Sequence, residues 1–128
     1  MFKKVFNFFL GTWNFILVFY QMITIEYFKK LDIRIGKILS AEKIVGADKL
    51  LKLILDIGGE QRQVVAGIAL IYPDPSVLIG KQVPLLLNLE PRQLRGETSF
   101  GMMLAADNSG KPVLLSPVEE VLPGSIVK

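Results

Sequence analysis

The sequence predicts an all-β fold, a five-stranded barrel with a short helix ahead of its first strand. Three observations predict it. From Ile23 onward the apolar residues fall in short alternating runs, with the period of two that marks half-buried strands. Gly, Pro and Asp punctuate those runs. The first run, Asp32 to Ile44, is long and β-branched and holds a glycine, as in strands that coil a small sheet into a barrel. A chain of 128 residues suits one domain.

Residues 1–22 form a distinct hydrophobic segment, MFKKVFNFFLGTWNFILVFYQM, holding eight of the twelve aromatic residues and the only tryptophan, Trp13. Lys3 and Lys4 followed by an apolar run to about Tyr20 resemble a signal peptide or signal anchor. There is no small-x-small cleavage site, however, and Asn7 and Asn14 interrupt the run. The run is also short of the roughly 20 residues a spanning helix needs. Two readings stand: a membrane-associating segment, or a start of translation at Met22. The second is preferred and leaves residues 23–128 as the folded domain.

Thr24 is placed to cap a short helix through Lys30. In the first strand Ile33 and Ile35 share a face while Ile38 falls out of phase. A bulge at Gly36 would repair the phase and leave Arg34 and Lys37 outward. After the turn Val45–Asp48, the second strand Leu50–Ile57 points Leu51, Leu53, Leu55 and Ile57 inward, with Lys52 and Asp56 outward. Gly58 to Glu60 turns the chain into a third strand, Arg62–Ala66. A helical turn near Pro75–Leu78 precedes the fourth strand, Lys81–Leu89, which Pro84 assigns to an edge or a bulge. Glu90–Thr98 reads as a polar loop, Phe100–Ala106 as the fifth strand and Val113–Leu115 as one more short strand. The extension Pro117–Lys128 keeps Val118, Val121, Leu122, Ile126 and Val127, more apolar than a solvated end. A subunit interface or packing onto its own barrel explains it equally well. Five short strands with a helical insertion between the third and fourth fit an OB-fold.

Composition excludes much chemistry. Without cysteine or histidine, disulfides, Cys/His zinc sites, Ser-His-Asp triads and Cys-His dyads are impossible within one chain. No metal site, cofactor or catalytic residue is expected, and the chain is read as a non-enzyme. Gly96-Glu-Thr-Ser99-Phe-Gly101 lacks both nucleophile-elbow spacing and a base. Glu119 and Glu120 point apart on an extended chain. Outside residues 1–22 the charge is 13 basic against 12 acidic, so nucleic-acid binding must be argued from clustering. In OB-folds ligands lie across strands 2 and 3, between the loop joining strands 1 and 2 and the loop joining strands 4 and 5. The first loop carries Lys43 and Lys49 and the second Arg92 and Arg95, with Lys37, Lys52 and Arg62 outward nearby. Beyond residue 22 only Tyr27, Phe28, Tyr72 and Phe100 are aromatic, too few for reading unpaired bases to dominate. Backbone and shape recognition of a folded RNA suits this set better.

Four blocks carry a family resemblance: Asp32-Ile-Arg-Ile-Gly-Lys-Ile38, Ala47-Asp-Lys-Leu-Leu-Lys-Leu53, Arg62-Gln-Val-Val-Ala-Gly-Ile68, and Asn88-Leu-Glu-Pro-Arg-Gln-Leu-Arg-Gly96 with Ser99-Phe-Gly-Met102 and Leu104-Ala-Ala106. From Ile23 to Lys128 the chain resembles the tRNA-binding domain of methionyl-tRNA synthetases. That module is a C-terminal appendix of the synthetase (the beta subunit) and also a free-standing dimeric tRNA-binding protein. A similar domain occurs in the endothelial monocyte-activating polypeptide. The resemblance implies an OB-fold homodimer joined through its C-terminal portion, binding tRNA by shape, with a methionyl-tRNA synthetase as a possible partner and the cytoplasm as its place. A membrane enters only if residues 1–21 are genuine and retained. It implies phosphate contacts from Lys37, Lys49, Lys52, Arg62, Arg92 and Arg95, and backbone or ribose hydrogen bonds from Asn88 and Ser99. Met102 would lie near the RNA-facing surface or the subunit junction. The competing expectation is a polypeptide-binding chaperone of the export type, a family sharing this fold and similar opening residues. The block from Arg92 to Met102 favours tRNA.

Overall fold

The computed structural model describes residues 21–128. The expectations placed on residues 1–20 lie outside them. Two units are distinguished, divided after Lys30. In the described part of the first, helix α1 (Ile25–Phe28) is capped by Thr24, whose hydroxyl accepts from the Tyr27 N–H at 3.1 Å. The Lys30 ammonium sits 4.8 Å from the centre of the Tyr27 ring. No helix among the described residues is long and apolar enough to cross a membrane.

The second unit is all-β. Its strands are β1 (Ile33–Ile44), β2 (Ala47–Asp56), β3 (Gln61–Ala66), β4 (Gln82–Leu86), β5 (Arg92–Leu94), β6 (Glu97–Ser99), β7 (Met102–Met103), β8 (Ala105–Asn108) and β9 (Lys111–Leu114). A 3₁₀ turn, Pro75–Leu78, lies between β3 and β4, capped by Asp74. The main sheet runs β3-β2-β1-β4-β7, all antiparallel, the order an OB-like barrel requires. The barrel is not closed by a ladder between β3 and β7. The gap is bridged instead by the Phe100 N–H, which donates to Gln63 O at 2.9 Å. Ile38, Leu51, Leu53, Leu55, Val64, Leu78, Val83 and Leu85 are fully buried in the core. Each such side chain contributes about 1.5–3 kcal/mol on leaving water.

Three local expectations change. The β1–β4 ladder runs evenly from Ile33 opposite Leu86 to Lys37 opposite Gln82, so there is no bulge at Gly36. The irregularity falls between Ile38 and Ser40, in the pairing with β2. Ile38 is indeed out of phase with Ile33 and Ile35, and no bulge repairs it: Gly36 and Ile38 face the core, while Ile33 and Ile35 lie on the opposite face and are buried as well. A Cβ at Gly36 would come within 2.8 Å of a Leu85 methyl. Pro84 is not at an edge, because β4 lies between β1 and β7. Its carbonyl accepts from the Leu104 N–H at 3.0 Å, so its missing N–H falls on the β7 side, just past the two-residue ladder. The polar stretch after Glu90 is a hairpin, β5–β6, and the expected fifth strand is split into β7 and β8, the latter paired with β9.

The tail packs on the molecule's own sheet. Ile35 N–H donates to Ser125 O at 2.9 Å, Gly124 N–H to Ile35 O at 2.7 Å and Val127 N–H to Ile33 O at 2.9 Å. The Gln82 amide holds both backbone groups of Val121, donating to its carbonyl at 2.6 Å and accepting from its N–H at 3.0 Å. Gly58 and Gly124, both at positive φ, let the β2–β3 turn and the tail meet backbone to backbone. Val118, Leu122 and Ile126 remain exposed.

Candidate nucleic-acid interface

The β5–β6 hairpin builds the site. Leu94 pairs with Glu97, so its two-residue loop is Arg95-Gly96. Both have positive φ, 52° and 83°, as a type I′ turn demands. Glycine adopts this freely, whereas Arg95 holds a conformation that costs an L residue roughly 1–2 kcal/mol. Main-chain anchoring holds the hairpin against β3. The Ser99 hydroxyl, only 3% exposed with its residue, accepts from Val65 N–H at 2.9 Å and donates to Gly101 O at 2.9 Å. Gln63 Nε2 donates to Thr98 O at 2.8 Å.

Thus mounted, Arg95 lines a cleft of about 370 Å³ with Gly46, Ala47, Asp48, Lys49 and Leu50 of the β1–β2 hairpin. Lys49, Arg92 and Arg95 are exposed, and none is ion-paired among the described residues. An anion arriving here displaces no internal partner.

The other candidates are engaged differently. Lys52 Nζ lies 3.7 Å from Glu97 Oε2. Arg62 donates to Phe100 O at 2.9 Å, to Leu87 O at 3.3 Å and to Glu60 at 3.1 Å, tying β3 to the chain beyond β4 and β6. Asn88 Oδ1 accepts from Asp32 N–H at 2.9 Å, fastening the start of β1. Lys37 sits opposite Gln82 and Asp56, roughly 20 Å along β1 from the turn after Ile44 at about 3.3 Å per residue. Met102 is partly exposed on β7 opposite Leu86. The structure therefore groups Lys49 with Arg95, makes Ser99 the anchor of their hairpin, and makes Arg62 and Asn88 framework elsewhere, near the β2–β3 turn and the start of β1.

A second cleft, about 400 Å³, is lined by Ile54, Gln61, Arg62, Gln63 and Phe100. Sequence reasoning did not single it out. The signal was Ile54, an apolar residue between outward-facing Lys52 and Asp56. Among the described residues no three His, Cys, Asp or Glu side chains are grouped to hold a metal.

Residues 33–126, the span from β1 to the tail that carries both clefts, match the family described as "Putative tRNA binding domain". The chain belongs to this family. It is a binding module and not a catalytic one. Among its relatives, the methionine–tRNA ligase of Archaeoglobus fulgidus is 56% identical over 107 residues, which are 84% of this chain and 16% of that enzyme. The chain thus spans about a sixth of that relative. A solved MetRS-related protein of Pyrococcus horikoshii is 36% identical, with a TM-score of 0.79 over 85% of this chain and all of the other. The chaperone CsaA of Bacillus anthracis is 31% identical, with a TM-score of 0.76 over 84% of this chain and all of that one.

Proposed function

We propose that this tRNA-binding domain works in the cytoplasm as an accessory module, holding folded tRNA by phosphate contacts and shape and assisting a methionyl-tRNA synthetase. The observation that carries it is the cleft between the two hairpins, where Lys49 and Arg95 face one space without internal ion pairs. Charges so placed attract phosphates and release counterions, which makes binding fall with salt. The likeness to a methionine–tRNA ligase and a MetRS-related protein supports a synthetase partner. A homodimer accompanies this reading, because Val118, Leu122 and Ile126 stand exposed on a tail that is itself firmly held.

The test uses the full chain, folded tRNA, heat-unfolded tRNA and single-stranded RNA at several salt concentrations. Selective, salt-weakened binding of folded tRNA is expected. Arg92→Ala with Arg95→Ala should weaken it and flatten the salt slope by roughly one unit per lost phosphate contact. Absence of binding at low salt refutes the reading. A polypeptide-binding role is then next, favoured by the CsaA likeness and by a third cleft where exposed Val45 and Leu70 adjoin Lys43.

A further inference from the structure

We infer that the cleft formed by Ile54, Gln61, Arg62, Gln63 and Phe100 receives one unpaired nucleobase of the bound RNA, stacked on Phe100. This rests on the tRNA-binding reading and adds to it a contact with a base, where the cationic cleft serves phosphates alone.

Phe100 is 42% exposed although it sits in the framework of the fold. Its backbone is pinned on both sides, the N–H donating to Gln63 O and the carbonyl accepting from Arg62 Nη1, each at 2.9 Å. The ring is thus presented from a fixed support, which lowers the entropy lost when a planar partner lies against it. Ile54 adds apolar surface to the same cleft.

Around this apolar floor the polar groups suit a base edge and not a phosphate. Glu60 pairs with Arg62 at 3.1 Å and cancels the charge that would draw an anion. The Gln61 side-chain amide has no hydrogen bond among the described residues and so offers both a donor and an acceptor. Gln63 spends its Nε2 on Thr98 O and Glu97 and leaves Oε1 as an acceptor. A π-face flanked by mixed donors and acceptors matches a nucleobase, whose edge carries both. Strand β6, which ends beside the cleft at Ser99, belongs to the hairpin that presents Arg92 and Arg95. A base entering the cleft therefore keeps its backbone within the reach of those cations.

The experiment measures binding of folded tRNA to the full chain across a salt series, for the wild type, Phe100→Leu, Phe100→Tyr, Gln61→Ala and the Arg92→Ala/Arg95→Ala pair. Phe100→Leu should weaken binding about 5- to 150-fold. Its plot of log K against log salt should stay parallel to the wild type, because no phosphate contact is lost. Phe100→Tyr should retain most of the affinity. Gln61→Ala, at an exposed side chain without a partner among the described residues, should leave folding intact and weaken binding a few-fold. It decides the matter if Phe100→Leu proves unstable. Wild-type affinity in Phe100→Leu and in Gln61→Ala, with the arginine pair still impaired, overturns the base site and leaves phosphate binding standing. A wild-type chain that ignores folded tRNA at low salt removes both.

Discussion

The β5–β6 hairpin and the tail from Ser116 onward both lie against the main sheet, yet they are fastened and finished in opposite ways. The hairpin is held by side chains reaching main chain, Ser99 to Val65 and Gln63 to Thr98, and it carries Arg92 and Arg95, which have no ion pair among the described residues. The tail adds backbone hydrogen bonds along β1 to the clasp of Gln82 and presents Val118, Leu122 and Ile126. One surface presents cations and the other exposed apolar side chains. On the proposed function, the difference teaches that binding and association would be separable, because the two surfaces rest on different anchors.

The strongest way to break that separation is Gly124→Ala. A Cβ there would lie 2.5 Å from Ile57 O on a backbone with φ of 91°, so we expect a loss of about 2–4 kcal/mol. Urea unfolding reads the loss, and hydrogen exchange at Gly124 and Val127 reads the release of the tail. Unchanged stability with both amides protected would show that the close approach is not needed.

Next come the two clasps. Ser99→Ala and Gln82→Ala should each cost about 1–3 kcal/mol, since each strands a backbone group that now has a partner. Their functional effects should part: only Ser99→Ala weakens tRNA binding, and only Gln82→Ala weakens self-association in sedimentation. Identical effects of the two on both readouts would collapse the comparison.

Arg95→Asn sharpens it. Asn-Gly is a favoured type I′ pair, so the variant should gain about 0.5–1 kcal/mol while binding tRNA more weakly. A variant that is no more stable, or that binds as well, removes the argument that strain is kept at Arg95 for its charge. The smallest effect is expected at Asp74, which belongs to neither the β5–β6 hairpin nor the tail. Hydrogen bonds from the Ser76 side chain and backbone, with Lys43 nearby, hold its carboxyl below the ordinary 3.8. A depressed carboxylate stabilises the fold above its unfolded value and loses that contribution as pH falls through the folded one. Asp74→Ala should therefore lower the melting temperature slightly at pH 7 and by less as the pH falls below the carboxyl's depressed range.

Alternation made β2 legible, because only the face of Leu51, Leu53 and Leu55 is fully buried, and it marked Val83 and Leu85 in β4 although every residue of that strand is buried. It misled at the start of β1, where both faces are covered. Burial of Ile33 and Ile35 on one side and Gly36 and Ile38 on the other looks, in sequence, like a slipped phase. The β5–β6 hairpin was invisible for another reason: Arg-Gln-Leu and Glu-Thr-Ser carry no apolar stripe, and their order comes from Gln63 and Ser99 reaching across the fold. The cations of the site were legible by their positions in loops. Which of them are already engaged, as Arg62 is, depends on carbonyls at Leu87 and Phe100 that no spacing reveals.

The pairing of Ile33 and Ile35 with Gly124–Val127 also sets the order in which the domain can be made. During synthesis β1 emerges early, and the hairpin to β2 forms from neighbours. One edge of its first half stays open until the segment around Ser125 arrives. Until then a row of unmatched peptide groups is offered to any passing strand, a template for aggregation on the ribosome. Such late, distant pairing also slows refolding relative to the local hairpins. Chains stopped short of Gly124 should therefore clump before they misread any RNA.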